Sequence, residues 1–256
     1  MRRQRSPYIP WTEILDILVL LAWGAALLKY WLTGQLSILL HPDYRWLSNS
    51  AAIVLLLIAA IRTLRLIQTL WGQRPQAIAN PRHFTLLPPS VSSFMLLAVA
   101  VFGLTYTPRA FASDTALQRG ITDTLTLTRS QPQQFRLDNN PAERSVIDWV
   151  RTINAYPEPD AYSDQAVNVS GFVIHPPDWP DNYLMVSRFV LTCCAADAYP
   201  VGLPVKLVGD RTAYAPDTWI EVQGTMMTET LAERRQLVID SASLTEIPEP
   251  DNPYEY

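Results

Sequence analysis

The sequence predicts a membrane α region of three transmembrane helices, followed by a small all-β domain that is best described as an OB-like barrel. Three observations predict it. The charge is split: residues 1–112 carry 10 Lys and Arg against 3 Asp and Glu, or +7, while residues 113–256 carry 10 against 21, or −11. The basic part holds three long apolar stretches, and the acidic part holds five short apolar runs separated by turn residues. The boundaries that follow are a transmembrane domain over 1–112, a connecting segment over 113–165 and a β domain over 166–256. A net charge of −4 and 48% hydrophobic residues exclude a disordered chain and argue against a nucleic-acid partner.

The helices are predicted at about 14–32, 46–64 and 86–106. A bilayer needs about 20 apolar helical residues, and the centre of the second stretch, AAIVLLLIAAI, shows no polar stripe of the kind a soluble surface helix carries. Trp11, Trp31, Trp46 and Trp71 fall near the proposed ends, at headgroup depth. MRRQR reads as an n-region, but Glu13 and Asp16 follow it and no small-residue cleavage site closes the apolar run, so the first stretch reads as a retained span. Arg2, Arg3 and Arg5 before helix one, and Arg62, Arg65, Arg74 and Arg82 around the 65–85 link, outnumber Arg45 between helices one and two. The positive-inside tendency then gives a multi-pass protein with a cytoplasmic N-terminus and an extracytoplasmic β domain. Between helices one and two, LSILL reads as an interfacial segment before His41-Pro42, with His41 expected to cap a turn.

In the acidic part, residues 121–127 alternate as a short strand, and SVIDWVRTINA (145–155) places Val146, Trp149, Val150 and Ile153 on one helical face. Strands are predicted at 166–174, 183–194, 204–208, 219–227 and 237–244, with Gly171 providing a bend or bulge. Five short strands suit a barrel of the OB type.

The candidate chemistry is the pair Cys193-Cys194, the chain's two cysteines. On a continuing strand they would point to opposite faces. Four readings stand: apolar packing at a strand end, binding of a thiophilic metal with help from Asp197 or His175, a redox-active vicinal disulfide, and a nucleophile. Arg188 and Asp197 flank the pair and could fix its turn as an ion pair. Met226-Met227 reads as core filling, and Asp123, Asp160 and Asp164 as solvated. No GxSxG, phosphate-cradling Gly loop or HExxH is present, so no enzyme class is favoured.

Several segments resemble the YcgQ-like family of bacterial membrane proteins: LTGQLSILLHPDYRWL (32–47), SDTALQRGI (113–121), SGFVI (170–174) with SRFVLTCCAADAYPVGLPV (187–205), and DTWIEVQGTM (217–226) with the terminal PDNPYEY (250–256). The resemblance implies a non-enzymatic subunit that works beside a larger polytopic permease in solute transport. An association with metal homeostasis implies a thiophilic ion such as zinc. Arg188, Cys193, Cys194, Asp197 and Gly202 carry over within the motif, Arg188 and Gly202 as structural support. The competing expectation is a membrane-anchored extracytoplasmic thiol or redox protein that cycles Cys193 and Cys194.

Overall fold

A computed structural model describes residues 11–71, 88–120 and 140–256. The chain divides into two compact units, Met1–Pro108 and Arg109–Tyr256. The segment expected to connect two domains therefore belongs to the second unit. The strand expected at 121–127 lies outside the described residues, as do Asp123 and most of the 65–85 link.

The first unit is helical: α1 (Trp11–Leu32), the single turn α2 (Leu36–Leu39), α3 (Pro42–Leu70) and α4 (Pro89–Thr105). Two helices, α1 and α3, are long and apolar enough to cross a membrane, and only 22% and 11% of their most apolar windows is buried within the protein. The exposed side chains include Ile53, Val54, Leu57 and Ile61. Each would lose roughly 1.5–3 kcal/mol if left in water. The expectation of three such helices is corrected to two. Helix α4 starts only at Pro89, and its 17 residues rise about 26 Å, short of a hydrocarbon core of about 30 Å.

Small residues bring α1 against α3. Gly24 is buried, and a Cβ there would meet Leu56 Cδ2 at 2.7 Å. Polar side chains of α1 hold α4. Ser93 Oγ donates to Asp16 Oδ1 at 2.7 Å, and Lys29 Nζ donates to Leu104 O at 2.8 Å. Tyr30 Oη adds a bond to Gly103 O at 2.5 Å. These contacts pair early residues with early and late with late, so α1 and α4 run in the same direction. Arg62 of α3 also reaches Asp16, at 3.6 Å. His41 caps α3 as expected, its Nδ1 accepting from Asp43 N–H at 3.2 Å.

The second unit holds α5 (Ser113–Arg119), α6 (Val146–Ala155) and a sheet of six strands: β1 (Ala166–Ile174), β2 (Tyr183–Val190), β3 (Tyr199–Lys206), β4 (Trp219–Leu231), β5 (Arg234–Glu246) and β6 (Tyr254–Glu255). The order is β1-β4-β5-β3-β2-β6, and β1 also pairs with β2. The first five strands thus form a ring of pairings, antiparallel except for β3 with β5. Strand β6, which no expectation included, adds parallel to β2.

Two sequence expectations shift here. The register break lies at Gln223/Gly224 rather than at Gly171. Gly171 instead permits close backbone approach, since a Cβ there would collide with the carbonyl oxygen of Ser187. The second strand stops at Val190, four residues before the predicted end: the Leu191 amide completes the β2–β6 ladder on Glu255 O at 2.9 Å, and beyond it the Cys193 and Cys194 amides bond the Asp197 carboxylate.

Helix α6 forms where Ser145 and Asp148 close a capping box, and it buries Val146, Ile147, Trp149 and Val150 against the sheet. Met226 is 1% exposed and joins this core, while Met227 packs against a smaller cluster around Tyr183 and Val238. Glu255 ties the layers together. Its carboxylate accepts from Ile147 N–H at 2.8 Å and Ser145 Oγ at 2.9 Å, and lies 3.8 Å from Arg188 Nε. Replacing Glu255 with Ala leaves the largely buried Arg188 without its charge partner and the Ile147 N–H without its acceptor. We expect a loss of about 3 kcal/mol in the second unit. Thermal unfolding of the full chain, followed by near-UV circular dichroism, measures it.

Candidate metal centre on the turn between β2 and β3

The turn after β2 holds the candidate site. Because the strand has ended, Cys193 and Cys194 do not alternate across a sheet. Their sulfurs lie 3.6 Å apart on one side, Cys193 exposed and Cys194 half-buried. One ligand atom from each of Cys193, Cys194 and Asp197 falls within 4.8 Å of the others. This is the group of potential metal-binding side chains found among the described residues.

Asp197 builds the turn. It lies at the end of a 3₁₀ turn, Ala195–Asp197, and its carboxylate reaches back over four residues. Oδ2 accepts from Cys193 N–H at 2.9 Å and from the Thr192 hydroxyl, and Oδ1 accepts from Cys194 N–H at 3.2 Å. The Asp197 amide in turn bonds Cys194 O at 3.1 Å. An ion pair of Asp197 with Arg188, considered from the sequence, does not form. Arg188 lies on β2, where its Nε donates to Ser170 O and its Nη2 to Ser170 Oγ, both at 2.9 Å. Its guanidinium stacks over Trp219 at 4.9 Å, and its charge faces Glu255.

The electrostatics follow from this wiring. A hydrogen bond to the Asp197 carboxylate, then one to Cys194, pushes the Cys193 thiol up to about 12 from an ordinary 9.0. Burial pushes the Asp197 carboxyl up. The Cys193 thiol, the Thr192 hydroxyl and the two cysteine amides outweigh it and hold Asp197 below its ordinary 3.8. At neutral pH the site is therefore a protonated thiol resting on an ionised carboxylate. Reactive and redox cysteines show the opposite arrangement, a thiolate in electropositive surroundings.

Of the residues expected to bind metal, the structure brings together Cys193, Cys194 and Asp197 and leaves His175 apart. His175 follows β1 where Ile174 pairs with Met185, in the first half of β2. The cysteines follow the other end of that strand, roughly 17 Å beyond Met185 at 3.3 Å per residue. Gly202 supports the sheet rather than the site: a Cβ there would meet Met185 Sδ at 2.6 Å. Asp160 is engaged with Arg235, and Asp164 forms the left-handed residue that leads into β1. A shallow groove of about 450 Å³ over the Gly224 bulge, lined by Asn168, Gln223 and Asp240, lies on other strands and holds no thiol.

Two residues escaped the sequence reading. Thr192 supplies the hydroxyl that orients Asp197. Arg119 donates to the carbonyl of Ala198, just past Asp197, and stacks over Phe111 at 4.7 Å. The segments quoted for the family resemblance meet through such contacts. SDTALQR joins DTWIEVQGTM where Ser113 N–H donates to Asp217 Oδ1 at 2.5 Å, joins the cysteine turn through Arg119, and the terminal PDNPYEY reaches Arg188 through Glu255.

If Asp197 holds the Cys193 proton in place, Asp197→Asn should bring that thiol down toward its ordinary value. Alkylation by iodoacetamide at pH 8 is then expected to speed up at least about fivefold. An unchanged rate would show that the carboxylate does not govern the thiol.

Residues 134–256 match the DUF1980 C-terminal domain family. No curated protein matches the chain. The family match spans 123 of the 256 residues and covers the whole sheet, the cysteine turn and the terminal strand.

Proposed function

We propose that the chain is a non-enzymatic subunit of a two-component membrane permease, with the Cys193-Cys194-Asp197 turn receiving a thiophilic cation as cargo. The observation that carries this reading is the meeting of two thiols and a carboxylate within 4.8 Å on a turn braced from several elements. Two thiolates suit a soft or borderline ion, and the carboxylate adds charge. The −11 charge of residues 113–256 favours cations over anions at that surface.

In this reading α1 and α3 cross the bilayer. Helix α4 lies alongside α1, held by Asp16–Ser93 and Lys29–Leu104. The ring of pairings β1-β4-β5-β3-β2 then closes as an OB-like barrel, whose antiparallel ladders and single parallel β3–β5 pair suit that topology. The helices carry few ionisable groups, and a polar pathway needs such groups facing a cavity. A larger polytopic permease is the partner that would supply it. An acidic surface gives nucleic acid no purchase.

Two measurements test this reading. Purification of the tagged full chain from its native membranes in mild detergent should recover a polytopic membrane protein in stoichiometric complex. The complex should also carry about one thiophilic metal per chain, which Cys193→Ser/Cys194→Ser removes. A monodisperse chain without partner, or equal and negligible metal in both forms, overturns the proposal.

A further inference from the structure

The span between the two sulfurs selects among soft ions by coordination geometry. With metal–sulfur bonds of about 2.3 Å, sulfurs 3.6 Å apart subtend an S–M–S angle of about 103°, close to tetrahedral. A linear two-coordinate ion needs its sulfurs about 4.6 Å apart at the same bond length. The turn resists that widening. The cysteines are chain neighbours, both of their amides are bound to one carboxylate, and Asp197 N–H closes the 3₁₀ turn on Cys194.

The donor count adds a second constraint. Cys193, Cys194 and Asp197 provide three ligand atoms, and His175 is too distant to provide a fourth. Structural tetrahedral sites close all four positions with protein ligands, whereas three protein ligands leave one position for water or an incoming donor. Cys193 is exposed, so that position faces solvent.

Resting on the cation-site reading above, we propose that this turn binds a single tetrahedral divalent ion of the zinc and cadmium kind, one ion per chain, with an open fourth position through which the ion is handed on. Binding breaks two S–H bonds and forms two M–S bonds, and both protons leave to solvent. Nothing is oxidised or reduced. The carboxylate that had held the Cys193 proton turns that oxygen to the metal, so three negative ligands leave the loaded site with one net negative charge. Linear Cu(I) would have to take its two sulfurs from two chains.

The test uses the full chain in detergent, titrated separately with Cd²⁺, Zn²⁺, Co²⁺ and Cu(I). Cd²⁺ and Zn²⁺ should each bind at one per monomer with release of protons from the ligating thiols, so that affinity rises with pH. The Co²⁺ form should show the intense visible bands of a tetrahedral thiolate complex. Those bands should shift when imidazole or a small thiol is added, because the fourth position is open. Cu(I) should drive dimers. A one-to-one Cu(I) monomer with no binding of Cd²⁺ or Zn²⁺ overturns the geometric selection and leaves the cation-site reading standing. A weak octahedral Co²⁺ spectrum, or bands indifferent to added ligand, overturns the open tetrahedral site. Failure of every ion to bind removes the cation-site reading itself.

Discussion

The Arg188–Glu255 pair is the constraint on which the second unit depends. Burial raises the Glu255 carboxyl above its ordinary value and lowers the Arg188 guanidinium, so desolvation opposes both charges. Pairs of this kind hold only when hydrogen bonds satisfy the remaining lone pairs and protons. Here they do. Ile147 N–H and Ser145 Oγ serve the carboxylate, while Ser170 and the face of Trp219 serve the guanidinium. One buried ion pair thereby joins the start of α6, the middle of β1, the end of β2 and the short β6.

The cysteine turn inherits its position from that arrangement. Glu255 O takes the amide of Leu191 in the β2–β6 ladder and so anchors the chain where it leaves β2 for the turn. From the other side, Arg119 holds the carbonyl of Ala198. The eight residues between β2 and β3 are thus fixed at both ends by elements far away in the chain, and Asp197 fixes them in the middle. A binding loop gains from such bracing, because the cost of ordering its side chains has been met before a ligand arrives. The arrangement also explains why the Cys193 thiol on an exposed turn stays protonated: the carboxylate that shapes the turn is the group that retains its hydrogen.

In the first unit the governing fact is apolar exposure. Only 22% of the apolar window of α1 and 11% of that of α3 is buried within the protein, and α3 leaves Ile53, Val54, Leu57 and Ile61 exposed. Asp16, Trp23, Lys29 and Tyr30 of α1 each find a backbone or side-chain partner on α4.

How much of this was legible from the residues depends on the range of the interaction. Helix α6 was readable because its apolar spacing and its Ser145–Asp148 box are local, and β1 was readable because strict alternation marks a half-buried strand. The cap at His41 belongs to the same class. The end of β2 was not readable, since RFVLTCC continues apolar and nothing in it shows that the Cys193 and Cys194 amides bond the Asp197 carboxylate. Strand β6 is too short to show alternation, and the expected helix over 86–106 started before the Pro88-Pro89 pair, whereas α4 starts at Pro89. By itself the sequence determined the division into a basic apolar part and an acidic β part, because composition and periodicity act within a few residues. Tertiary structure decided that both sulfurs face one carboxylate, that His175 stands apart from them and that Arg188 serves Glu255. Those outcomes depend on which distant strands pair, and pairing is set by the packing of the whole unit rather than by any segment alone.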